Sequence, residues 1–73
     1  MPAFGQTTAS DWYERGVESY DKGFYDSAVK YFDRVLELRP SDNDALKYKG
    51  YALNKQGKYD EAIQSLDMAI NIN

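Results

Sequence analysis

The chain contains no cysteine and no histidine among its 73 residues. Without cysteine, neither a disulfide nor a thiolate metal site can brace it. Without histidine, it lacks the commonest general base and the commonest metal ligand. No apolar run approaches the ~20 residues that span a bilayer, which argues against a membrane protein. Lys and Arg are nowhere clustered and the net charge is −3, which argues against gripping a nucleic-acid backbone. Residues 1–8, Met-Pro-Ala-Phe-Gly-Gln-Thr-Thr, lack the charged start and apolar core of a signal peptide and read as a flexible tail. A domain this short buries only about 60% of its unfolded surface, so its stability must come from well-packed apolar helix faces. Soluble and cytoplasmic is the default reading, with no cofactor and no metal.

What the chain does have is a period. Gly16 returns as Gly50, Gly23 as Gly57, Tyr25 as Tyr59, Asp26 as Asp60, Ala28 as Ala62 and Asp33 as Asp67, each 34 residues on. Apolar positions keep the same step: Trp12 with Leu46, Val29 with Ile63, Phe32 with Leu66, Val35 with Ala69, Leu36 with Ile70. Six identities over 31 aligned pairs exceed the roughly two that unrelated stretches of ordinary composition share. A fixed period of this length implies stacked equal units. The units are residues 9–42 and 43–73.

Spacing and punctuation divide each unit into two helices. Apolar steps of three to five residues predict helices over 9–22, 25–38, 43–56 and 59–72. Ser10 or Thr8 caps the first, and Ser41-Asp42-Asn43-Asp44 supplies caps for the third. Gly23 and Gly57 end the first and third helices, and Pro40 ends the second. Gly16 and Gly50 sit mid-helix at about 1 kcal/mol relative to alanine, a cost tolerated where a bulky neighbour comes close. Links this short between helices make antiparallel neighbours. The fold class is all-α, two tandem helical hairpins.

These residues resemble the tetratricopeptide repeat. In the first unit the family's pattern falls on Trp12, Gly16, Gly23, Tyr25, Ala28, Phe32 and Pro40; in the second it falls on Leu46, Gly50, Gly57, Tyr59, Ala62 and Leu66. Arg15 and Lys49 stand where the family often has leucine, and Ser19 where an aromatic is common. The resemblance implies a right-handed superhelix and a non-enzymatic protein–protein interaction module. The first helix of each unit would line a concave groove for a peptide or helical segment. Its lining would be Tyr13, Val17, Tyr20 and Asp21 from the first unit. The second unit would add Lys47, Tyr48, Tyr51, Asn54 and Lys55. Tyrosine brings stiff contact area and a hydroxyl, well suited to peptide recognition. The plainer reading, that these tyrosines complete the packing, stands beside it. One version of this groove in the family clamps an acidic chaperone tail with Lys and Asn side chains; Tyr13, Val17 and Tyr48 occupy clamp positions here, so no such clamp is expected.

Residues 9–22 carry Asp11, Glu14, Glu18 and Asp21 against Arg15 and Lys22, whereas 43–56 carry Lys47, Lys49 and Lys55 against Asp44. Side by side, these helices should attract modestly, or steer a partner. Glu14 and Glu18 lie one turn apart, but nothing in the sequence supplies a cleft for acid–base work. Ser41-Asp42-Asn43-Asp44 lacks the glycine and distal glutamate of a calcium loop.

No helix follows the fourth in this sequence. Val29, Leu36 and Leu38 are expected to be covered by the third helix, which leaves their equivalents Ile63, Ile70 and Ile72 as an open apolar face. Self-association through that face, making the chain a structural assembly unit, is the alternative expectation to the peptide groove.

Overall fold

The computed structural model describes residues 7–72. It contains four helices: α1 (Ala9–Asp21), α2 (Tyr25–Leu38), α3 (Asn43–Lys55) and α4 (Tyr59–Ile72). No strand occurs among the described residues. Most of the segment 1–8 read as a tail lies outside the described residues, but Thr8 itself is the N-cap of α1. Its hydroxyl accepts the Asp11 backbone N–H at 3.1 Å, while the Asp11 carboxylate accepts the Thr8 backbone N–H at 3.1 Å. This reciprocal box satisfies two donors that a bare helix start leaves open. Asp42 caps α3 by accepting the Ala45 N–H at 3.0 Å.

α1 and α3 each stop one residue sooner than the spacing predicts, because Lys22 and Gln56 act as C-caps. Gly23 and Gly57 follow with φ of +84° and +82°. The Gly23 N–H reaches the Tyr20 carbonyl and the Phe24 N–H reaches the Ser19 carbonyl; Gly57 and Lys58 repeat this on Asn54 and Leu53. Both hairpins therefore reverse through the same left-handed closure.

The mid-helix glycines are close-approach sites. A Cβ on Gly16 would lie 2.7 Å from the Phe32 ring, and one on Gly50 would lie 2.6 Å from Leu66 Cγ. Phe32, Val35 and Ala28 are fully buried beneath α1, and Ala62 and Ala69 are buried beneath α3. The hairpins join chiefly along α2 and α3, with α1 touching α3 much less. Ala45 and Ala52 of α3 enter one core with Ala28, Phe32 and Val35, against which Val29 and Leu36 pack half-buried.

Polar links cross the same joint. Lys49 Nζ lies 2.6 Å from Asp33 Oδ1, and the Gln56 side-chain amide donates to Asp26 Oδ1. Within the second hairpin, the Asn43 amide donates to the Ala69 carbonyl and the buried Ser65 hydroxyl donates to the Leu46 carbonyl at 3.0 Å. Leu38 departs from expectation. It stays 56% exposed, because two helical residues turn about 200°, carrying it off the face that Leu36 shares with α3.

Candidate functional site

α1 and α3 meet through aromatic rings. Tyr48 sits at the centre: its ring lies 5.8 Å from Tyr13, 5.6 Å from Tyr20 and 6.1 Å from Tyr51 in edge-on contacts, and it stacks on Phe32 at 5.4 Å. Tyr13 also meets Phe32 edge-on at 5.9 Å, and Tyr20 meets Tyr25 at 5.5 Å. Such geometry matches the attraction of a ring's positive rim for its neighbour's negative face, about 0.5–1.5 kcal/mol per pair. Tyr13, Tyr20 and Tyr48 are consequently half-buried, and each has a share in the packing. Burial raises the pKa of Tyr13 above the ordinary 10.0, with Tyr48, Asp44 and Asp42 adding to the effect, so its hydroxyl keeps its proton near neutral pH.

The other predicted groove residues are more open. Tyr51 is 44% exposed, and Lys47, Asn54, Lys55 and Asp21 are exposed. Val17 is half-buried. A shallow, mostly apolar depression of about 400 Å³ runs along α1, lined by Tyr13, Glu14, Val17, Glu18, Asp21 and Lys22. The structure thus gathers Tyr13, Val17 and Asp21 into one depression, and joins Tyr13, Tyr20, Tyr48 and Tyr51 in one ring network. It does not bring Lys47, Asn54 or Lys55 into that depression. Glu14, Glu18 and Lys22, which the repeat pattern did not single out, complete its lining.

The charge division between α1 and α3 produces no ion pair between them among the described residues. Lys22, the C-cap of α1, pairs with Glu18 at 3.3 Å, and Lys49 turns to α2. Arg15 lies over Trp12, 5.5 Å from the ring centre, where its charge meets the ring face. No group of three or more potential metal-ligating side chains occurs among the described residues. No helix among them is long and apolar enough to cross a membrane.

On α4, Ile63 and Ile70 are 56% and 68% exposed and share one side with Tyr59. Ile72 does not join them, which corrects the predicted trio. It follows Ile70 by two residues and so points about 160° away around the helix. Tyr59 was missed, although its spacing of four from Ile63 signals the shared side.

Residues 13–72 match the tetratricopeptide repeat family. The chain is 41% identical over 54 residues to an uncharacterised protein of Methanocaldococcus jannaschii, covering 74% of this chain and 63% of that protein. It is 36% identical over 61 residues to a TPR repeat-containing protein of the same organism, covering 84% of this chain and 11% of the relative. Similarity to the Hsp70-Hsp90 organizing protein of Triticum aestivum reaches 33% over 57 residues, covering 78% of this chain and 10% of the relative. The chain therefore spans less than two thirds of each of these relatives.

Proposed function

Because the chain belongs to the tetratricopeptide repeat family, we propose that it is a non-enzymatic protein-interaction module that holds a peptide or helical segment across α1 and α3. The observation that carries this reading is the ring network spanning the two helices. Packing fixes Tyr13, Tyr20 and Tyr48 from behind, and Tyr51 extends the network into solvent. Rings held in place bind with little further loss of side-chain freedom, which is what a recognition surface needs. Packing and recognition are thus two uses of the same tyrosines.

The α1 depression supports an apolar anchor within an acidic rim, because Glu14, Glu18 and Asp21 outnumber Lys22 there. Across the network, Lys47 and Lys55 flank Tyr51 and Asn54 on α3. A segment with a basic residue near its anchor and an acidic residue further on meets both signs. The chaperone-organising role printed in one relative's name does not bring an acidic-tail clamp here, since Tyr13, Val17 and Tyr48 fill those positions. An enzymatic role would need an acid–base group in an enclosed cleft, and the depression along α1 is shallow and open.

A displayed random-peptide library selected on the full chain tests the proposal. Selected peptides should lose about tenfold in affinity for Tyr51→Ala, the scale of an interfacial aromatic, with helicity unchanged. Peptides that bind Tyr51→Ala and Lys55→Ala as tightly as the parent would refute the groove.

A further inference from the structure

The first hairpin carries a second aromatic group, separate from the network around Tyr48. Trp12 of α1 and Tyr31 of α2 stack at 5.8 Å with their planes 27° apart, and neither meets another ring among the described residues. Two guanidinium groups attend the same indole: Arg15 lies 5.5 Å and Arg34 6.0 Å from its centre. Leu38 follows Tyr31 by seven residues and shares its side of α2, so its exposed side chain extends the patch.

The second hairpin shows that the fold does not need this arrangement. One period on, Leu46, Ser65 and Met68 stand where Trp12, Tyr31 and Arg34 stand, and α3 still packs closely on α4. It also shows that the place stays open with another hairpin in front of it. Leu46, Lys49, Ser65 and Met68 line a depression of about 300 Å³ together with Leu36 and Pro40 of the first hairpin, and Met68 remains 53% exposed. The corresponding patch of the first hairpin is therefore accessible whatever precedes α1.

Two like charges facing one ring repel each other, and only one of them has a carboxylate. Arg34 pairs with Glu37 at 3.2 Å, both side chains being well exposed, whereas Arg15 engages in no salt bridge among the described residues. An exposed pair contributes little, so Glu37 is readily exchanged for another carboxylate. Guanidinium groups hold carboxylates bidentately while resting on aromatic faces. The patch thus asks for anions beside an apolar group. A nucleic-acid backbone fits poorly, because no run of cations follows and the chain as a whole stands at −3. A short acidic segment, touching the protein only here, avoids that repulsion.

We infer that the Trp12–Tyr31 stack binds an acidic peptide segment of a partner protein, in which carboxylates flank an aromatic side chain. The carboxylates take Arg15 and Arg34, and the ring lies against Tyr31 and Leu38. This inference does not depend on the α1–α3 groove, because it uses other residues.

Trp12 is the one tryptophan of the chain, so its emission reports on the site itself. The probe is a capped synthetic peptide, Asp-Glu-Phe-Asp-Glu, titrated into the full chain. The emission should change saturably, and added sodium chloride should weaken binding. Arg15→Gln with Arg34→Met should weaken it about tenfold. Tyr31→Ser should weaken it about threefold, roughly the share of one ring contact. Met68 and Ser65 occupy the equivalent places in a folded hairpin, so helicity should persist in circular dichroism. Tyr51→Ala should bind as the parent does. No saturable change, or an affinity indifferent to both arginines, would overturn the proposal. Inorganic phosphate, or the peptide with alanine for phenylalanine, binding as tightly would also overturn it, since the site would then hold bare anions. So would a solution mass that doubles with concentration and falls back on the double arginine substitution, because a second copy would then be the occupant.

Discussion

Phe32→Ala is expected to unfold the chain, or to leave it near its midpoint at room temperature. Phe32 is fully buried, and its ring fills the space that Gly16 vacates, with Tyr13 on its rim and Tyr48 stacked on its face. One side chain thus touches α1, α2 and α3. Removing a buried phenylalanine costs about 3–5 kcal/mol. A chain of this length has about 4–11 kcal/mol in total at 0.05–0.15 kcal/mol per residue. Urea titration followed by circular dichroism measures the outcome. Phe32→Leu, which keeps much of the volume, should remain folded with a lower midpoint. If Phe32→Ala unfolds at the parent's urea concentration, the packing of the hairpins is not as described.

A methyl group at Gly50 is the second large effect. Alanine is the better helix former by about 1 kcal/mol, so an isolated helix would gain. Here the new carbon would meet Leu66 Cγ at 2.6 Å and the Ala62 carbonyl oxygen at 3.2 Å. Overpacking of this kind costs about 1–3 kcal/mol, and the carbonyl has no rotamer with which to retreat. Gly50→Ala should therefore lower the melting temperature. In a Leu66→Ala background most of the clash is gone, and the same substitution should become neutral or favourable. A Gly50→Ala penalty that is unchanged by Leu66→Ala would show that the two helices do not cross where the glycine places them.

Much of this was legible in the sequence, and for identifiable reasons. Glycine at 16, 23, 50 and 57 carries two distinct messages. At the first and third of these sites the neighbouring helix lies too close for a side chain, whereas at Gly23 and Gly57 the chain itself turns left-handed. Helix period separated the two kinds before any coordinates did. The repeated aspartates are a different case. Asp26 and Asp33 stand out by recurrence, but only their partners Gln56 and Lys49, brought over from α3, show that they tie one hairpin to the next. Contacts across some 16 to 30 positions leave no local trace in spacing.

Helix phase also explains the misplaced isoleucine. Matching Ile72 to Leu38 by repeat position was sound, yet Leu38 is itself exposed, so neither residue belongs to the stacking side. The tyrosines were legible as a group and not by role. Tyr48 and Tyr51 differ by three residues and similar chemistry, but one is held among four rings while the other stands 44% open. That difference depends on where α1 and α2 sit, which no single helix records.

The reversals at Gly23 and Gly57 have one more property: nothing lies within 4 Å of where a Cβ would stand on either. Room for a methyl is present, and handedness alone keeps an L-residue out. A D-alanine introduced there by chemical synthesis adopts this φ without backbone strain, narrows the wandering of the denatured chain and is expected to raise the melting temperature. The dihedral angles of each bend are in effect those of the mirror-image building block that ribosomes do not supply.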